Sequence, residues 1–110
     1  MRLMSVSEIP QDELVAAMAD GTPVIDVREP DEYAAGHVAG ARNIPLGTVE
    51  ACTGELDATA PVVVICQAGG RSMKAAEIMD RAGLDARSVA GGTGEWIKNG
   101  RAVVTGIDAG

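Results

Sequence analysis

Hydrophobic positions follow two rhythms along this chain: short unbroken apolar runs, and longer stretches with apolar residues three or four apart. The first fits strands covered on both faces, and the second fits helices with one buried stripe. Residues 61–66, Pro-Val-Val-Val-Ile-Cys, are apolar throughout and predict a central strand. Residues 24–27, entered through Pro23, read as a second buried strand, and 4–6, 41–44 and 87–89 predict three shorter ones. Between them, Ser7 is expected to cap a helix with Leu14, Val15 and Met18 on one face, ending near Gly21. Residues 29–33 open a short acidic helical turn that stops at Gly36, and 46–56 read as helical in spite of Gly47 and Gly54. A helix over 72–82 should turn Met73, Ala76 and Met79 or Ile78 inward and end at Gly83. After a Gly91-Gly92 turn comes a last helix bearing Trp96. This alternation predicts an α/β fold, a three-layer α/β/α sandwich with a mostly parallel five-stranded central sheet. Residues 1–110 read as one domain, with 106–110 as a frayed tail.

Composition narrows the class. With 46% hydrophobic and 23% charged residues the chain is a folded domain rather than a disordered one. Sixteen acidic against nine basic residues give a net charge of −7, so its long-range field repels nucleic acids and anionic membranes. Neither is expected as a partner, and any anion site must be local. Phe is absent and Trp and Tyr occur once each, too few for a base-stacking platform. No apolar run approaches the roughly 18 residues of a membrane span, and the first residues lack an apolar leader core, so a cytoplasmic location is expected. Two cysteines and one histidine fit neither a disulfide framework nor a zinc spacing, which makes reduced thiols the expectation.

The stretch that carries chemistry is Cys66-Gln67-Ala68-Gly69-Gly70-Arg71-Ser72, between the strongest strand and the strongest helix. In parallel sheets ligands bind beyond the carboxyl ends of strands, where a helix start offers unpaired N–H groups and a positive dipole end. A thiol placed there ionises more easily, helped by those N–H groups and by the permanent charge of Arg71. Gly69 and Gly70 let the loop curl with its N–H groups turned inward, forming a nest around the sulfur. A packed structural cysteine is the plainer reading of any single Cys. Here the coincidence of strand end, Cys, Gly-Gly, Arg and helix start favours an activated nucleophile.

These residues resemble a known family. The loop Cys-x-x-Gly-x-Arg, Cys66 to Arg71, is similar to the active-site loop of single-domain rhodaneses. Upstream, the run from Val24 to Pro45, Val-Ile-Asp-Val-Arg-Glu-Pro-Asp-Glu-Tyr-Ala-Ala-Gly-His-Val-Ala-Gly-Ala-Arg-Asn-Ile-Pro, resembles that family's Asp-Val-Arg-Glu and Gly-His motifs. Downstream, Gly91-Gly92 followed by Trp96 resembles its ending. The resemblance implies a sulfurtransferase cycling through a Cys66 persulfide, without metal or organic cofactor. Its donor would be a small anion such as thiosulfate, and its acceptor a thiol, cyanide or a protein. Arg71, Gln67, Ala68, Gly69, Gly70 and Ser72 are then the expected substrate-binding residues, with Arg71 orienting the donor. Asp26 and Arg28 are expected to support the loop, and Glu29 to pair with one of the arginines.

Related phosphatases and arsenate reductases use Cys-x-x-x-x-x-Arg, whereas four residues separate Cys66 from Arg71 here. One residue fewer removes about 3.3–3.6 Å of contour and shrinks the cradle below what a phosphate or arsenate bound through three oxygens needs. A non-turnover persulfide carrier docking on a partner protein is the alternative, and an inactive regulatory domain is disfavoured because Cys66 and Arg71 are both present. The acidic surface suggests that a protein acceptor would present a basic face. His37 is expected to be a hydrogen-bonding turn residue rather than a base, Cys52 a packed or idle thiol, and Trp96 a core residue. Lys74, on the first turn after the loop, either adds positive charge beside the site or occupies a solvated helix position, the plainer reading.

Overall fold

The computed structural model describes residues 6–110. Strands β1 (Ser7–Ile9), β2 (Val24–Asp26), β3 (Arg42–Asn43), β4 (Pro61–Ile65) and β5 (Asp85–Val89) form one sheet in the order β1-β5-β4-β2-β3. All four pairings are parallel, so the mostly parallel sandwich expected from the sequence is parallel throughout. Helices α1 (Gln11–Ala19), α2 (Pro30–Ala35), α3 (Leu46–Cys52) and α4 (Gly70–Arg81) connect the strands, α5 (Gly92–Lys98) follows the last of them, and a 3-10 turn at Thr53–Glu55 extends α3.

Alternate residues of a strand face opposite sides of its sheet, and β4 uses both. Val62 and Val64 pack with Val49 of α3 and with Ala75, Ala76 and Met79 of α4. Val63 and Ile65 pack with Leu14 of α1 and Trp96 of α5. Helices therefore cover both faces, which is why β4 needs an apolar residue at every position. Truncating the fully buried Ile65 to Ala is expected to cost about 2–5 kcal/mol.

The strand order also locates the site. After β2 the chain moves outward to β3, whereas after β4 it moves the other way to β5. A crevice opens between loops that diverge in this way, at the carboxyl ends of adjacent strands. Asp26 ends β2, and Cys66 follows β4 directly.

Several boundaries differ from the sequence reading. Of the strand expected at 4–6, residues 4 and 5 lie outside the described residues and Val6 precedes β1. Ser7 is therefore a strand residue rather than a helix cap, and α1 starts after Pro10. This edge strand buries only Ile9, so Ser7 and Glu8 tolerate polarity and the apolar signal fails there. Val15, expected on the buried face of α1, is 40% exposed; Leu14 is the fully buried residue of this helix, and Ala17 and Met18 pack partly buried against the same cluster. Helix α4 begins at Gly70, two residues ahead of the expected Ser72. Residues 106–110 are exposed, yet Gly106 N–H donates to the Ala34 carbonyl at 2.8 Å and Gly40 N–H to that of Ala109 at 2.6 Å. Among the described residues no helix is long and apolar enough to cross a membrane.

Candidate active site

Cys66 is buried, with 1% of its surface exposed. Beyond it the chain turns tightly, and Gly69, the residue before α4, has φ +114°, a conformation an L side chain would strain. That turn brings the Gly69 N–H to 3.1 Å from the sulfur. Ser72, fully buried in the first turn of α4, places its hydroxyl 3.4 Å from the same atom. Burial pushes the Cys66 thiol up, while the Ser72 hydroxyl and the backbone N–H groups of Ser72, Gly69 and Ala68 pull it down. The donors prevail, and the thiol ionises below its ordinary range. Because α4 runs for 12 residues from this point, its positive end adds to the same effect.

Arg71 is occupied. Its guanidinium makes a two-pronged ion pair with Glu32 of α2, at 2.7 Å from Oε1 and 2.9 Å from Oε2. That pairing, with the Glu29 N–H, holds the Glu32 carboxyl down at about 2. The ionisation of Cys66 thus rests on backbone and hydroxyl donors rather than on a free cation above it. Glu29, expected to pair with an arginine, instead caps α2. Its side chain accepts the Glu32 N–H, and its own N–H donates to Glu32 Oε1 at 3.0 Å.

Asp26 is fully buried and Arg28 is 3% exposed. Arg28 binds Asp26 through Nη2 at 2.8 Å and Nε at 3.1 Å, and its Nη2 also donates to the Gly36 carbonyl at 2.8 Å. Its Nη1 reaches the Gln67 side-chain oxygen at 3.2 Å. The end of β2 is thereby fastened to the loop after β4. Ala68 and Gly70 form the exposed rim.

A second support comes from the first turn of α5, where the sequence predicts the Gly91-Gly92 turn but no contact with the Cys66 loop. Thr93 N–H donates to the Cys66 carbonyl at 2.8 Å, and Gly94 N–H to that of Gln67 at 3.0 Å. Gly92 lies so close that a Cβ would sit 2.4 Å from the Cys66 carbonyl oxygen, at φ +57°. The signal available was a pair of glycines closing the strand beside the Cys66 strand. Ser88 was also missed: it is fully buried on β5 with its hydroxyl 2.8 Å from that of Ser72.

His37 is fully buried, with Nδ1 2.9 Å from the Tyr33 carbonyl oxygen and its ring stacked on Tyr33 at 3.6 Å. It makes no hydrogen bond to Cys66. Cys52 is half-buried against the α3 and α4 side of the core, Lys74 is exposed, and Trp96 is buried with its N–H donating to the Ala102 carbonyl.

Comparison with known proteins bears on this geometry. The model of the rhodanese-like domain matches residues 10–99. Over 88 residues the chain is 35% identical to the thiosulfate sulfurtransferase GlpE of Pseudomonas putida, covering 79% of this chain and 80% of that protein. It is 39% identical over 74 residues to the uncharacterized protein YqhL of Bacillus subtilis, covering 66% of this chain and 59% of that one. A rhodanese-related protein from Thermoplasma volcanium superimposes with a TM-score of 0.83 at 32% identity, covering 93% of this chain and 99% of its own.

Proposed function

The chain belongs to the rhodanese-like domain family, and on that premise we propose that it is a sulfurtransferase with Cys66 as the sulfur-carrying nucleophile. The observation that carries this reading is the Cys66 sulfur itself, which accepts the Gly69 N–H at 3.1 Å and lies 3.4 Å from the Ser72 hydroxyl at the start of α4. Such a nest suits an anion that persists through a cycle, because a thiolate and a persulfide carry the same charge.

With thiosulfate as donor, the Cys66 thiolate attacks the sulfane sulfur. A bond forms between Sγ and that sulfur, the donor's sulfur–sulfur bond breaks, and its electron pair leaves on sulfite. An acceptor nucleophile, cyanide or a thiol, then attacks the outer sulfur. The Sγ–S bond breaks with its pair returning to Cys66, which regenerates the thiolate. No proton need be removed from an ionised Cys66, which accords with a His37 bonded elsewhere. Thiosulfate as donor is supported by the likeness to GlpE, and a cytoplasmic, reducing setting by the two unpaired thiols.

Gln67, Ala68, Gly70 and Arg71 line the donor's approach in this reading, the buried Gly69 and Ser72 hold the sulfur from within, and Asp26 and Arg28 act as supports. Arg71 orients an anionic donor while tethered to Glu32. Intact-mass spectrometry after brief exposure to thiosulfate tests the scheme. A gain of one sulfur atom, absent in Cys66→Ser and reversed by cyanide, is expected. No gain in the wild-type protein would refute thiosulfate as donor. Repeated formation of thiocyanate would mark an enzyme, whereas a single loading without turnover would mark a carrier.

A further inference from the structure

Three groups compete for one proton at Ser72. Its hydroxyl oxygen lies 3.4 Å from Cys66 Sγ, 3.1 Å from the Gly69 carbonyl oxygen and 2.8 Å from Ser88 Oγ. A hydroxyl donates once and accepts through two lone pairs, so only one of these neighbours can receive the Ser72 proton. If Ser72 donated to Ser88, the sulfur would lose its only side-chain donor among the described residues. The neighbour that decides is therefore Ser88, which can itself donate or accept.

Ser88 is fully buried, and among the described residues Ser72 Oγ is its only side-chain hydrogen-bond partner. A buried hydroxyl proton with no acceptor is costly, and Ser72 Oγ is the acceptor within reach. Ser88 donation fills one lone pair of Ser72 and leaves the Ser72 proton for sulfur or the Gly69 carbonyl. That carbonyl already accepts the Met73 N–H at 3.1 Å as part of the first turn of α4. An anionic sulfur then makes the stronger acceptor, and a chain from Ser88 through Ser72 to Cys66 is polarised in one direction.

We propose that Ser88 is a positioning residue, buried on β5, that fixes the direction of the Ser72 hydroxyl so that its proton is offered to the Cys66 sulfur. This deepens the sulfurtransferase reading, in which an ionised Cys66 is the nucleophile. Its readout is the ionisation of the thiol, so it succeeds or fails independently of whether sulfur is transferred.

The test titrates the thiolate by its ultraviolet absorbance in a Cys52→Ser background, where Cys66 is the only cysteine. Ser88→Ala is expected to raise the Cys66 midpoint by about half a unit to one unit, a threefold to tenfold loss of thiolate below the midpoint. Ser72→Ala should raise it at least as far. The decisive arm is Ser88→Ala in the Ser72→Ala background, where the Ser88 effect should vanish because it acts only through Ser72. Ser88→Thr, which keeps the hydroxyl, should restore the wild-type midpoint. An unchanged midpoint in folded Ser88→Ala, or an equal shift with and without Ser72, overturns the proposal.

Discussion

The two cysteines lie in regions that differ in almost everything except the thiol. Cys66 stands at the carboxyl end of β4 with a backbone N–H and a hydroxyl on its sulfur, and α4 starts just beyond. Cys52 ends α3, half-buried against the apolar residues between α3 and α4, and no hydrogen bond to its sulfur is present among the described residues. Both are unpaired thiols on the same chain, so any difference in chemistry comes from donors placed around the sulfur rather than from the residue type. The region of Cys66 spends structure on this. Arg28, Thr93, Gly94 and Gly92 all serve the loop that holds it.

Removing each thiol in turn separates the two regions most widely. Cys66→Ser is expected to abolish sulfur loading from thiosulfate, while Cys52→Ser leaves loading and turnover within a factor of about two. Mass spectrometry and thiocyanate formation read both variants, and loss of loading in Cys52→Ser would sink the comparison. Next in size is Arg28→Met, which leaves the Asp26 carboxylate buried without its partner. It should lower the free energy of unfolding by about 3–5 kcal/mol in urea titration. A change under about 1 kcal/mol would mean that the pair contributes little.

Gly92→Ala tests the support from α5. Its Cβ would press on the Cys66 carbonyl at a φ unfavourable to alanine, and relief requires the loop to shift. We expect turnover to fall at least about tenfold while the protein remains folded, since displacing a reacting group by a fraction of an ångström is costly. Unchanged turnover would show that the loop does not depend on that contact.

The smallest effect concerns Glu32. Its carboxyl is held down at about 2, so the ion pair with Arg71 is intact at neutral pH and is lost only as pH falls towards that value. Glu32→Gln releases Arg71 and removes a negative charge beside the loop, and KM for thiosulfate should fall about twofold to fivefold with kcat little changed. A raised KM would show that Glu32 is needed to aim Arg71 at the donor.

How much of this could be read from the chain follows from sequence separation. The Cys66 loop was legible because its parts are contiguous and sit between a fully apolar strand and an amphipathic helix. The α/β alternation was legible for the same reason, since each buried element announces its own period. Edge strand β1 was misplaced because it needs only Ile9 buried, so a polar Ser7 and Glu8 conceal it. The pairing of Arg71 with Glu32 spans 39 positions, and Glu29, Asp31 and Glu32 present equivalent carboxylates until the α2 cap selects among them. Ser88 carries no local signal, because a serine inside a short strand reads as filler until the adjacent helix is placed over it.

Direct titration of the Cys66 thiol is the most exacting check on the claim that its surroundings make it a nucleophile. Thiolate absorbance would be followed against pH in Cys52→Ser protein, with the Cys52→Ser, Cys66→Ser double variant as the blank. The donors around the sulfur predict a midpoint below the ordinary thiol value of about 8.5. A midpoint at or above that value would mean that burial outweighs them, and the loop would then be a way of packing a cysteine rather than of activating one.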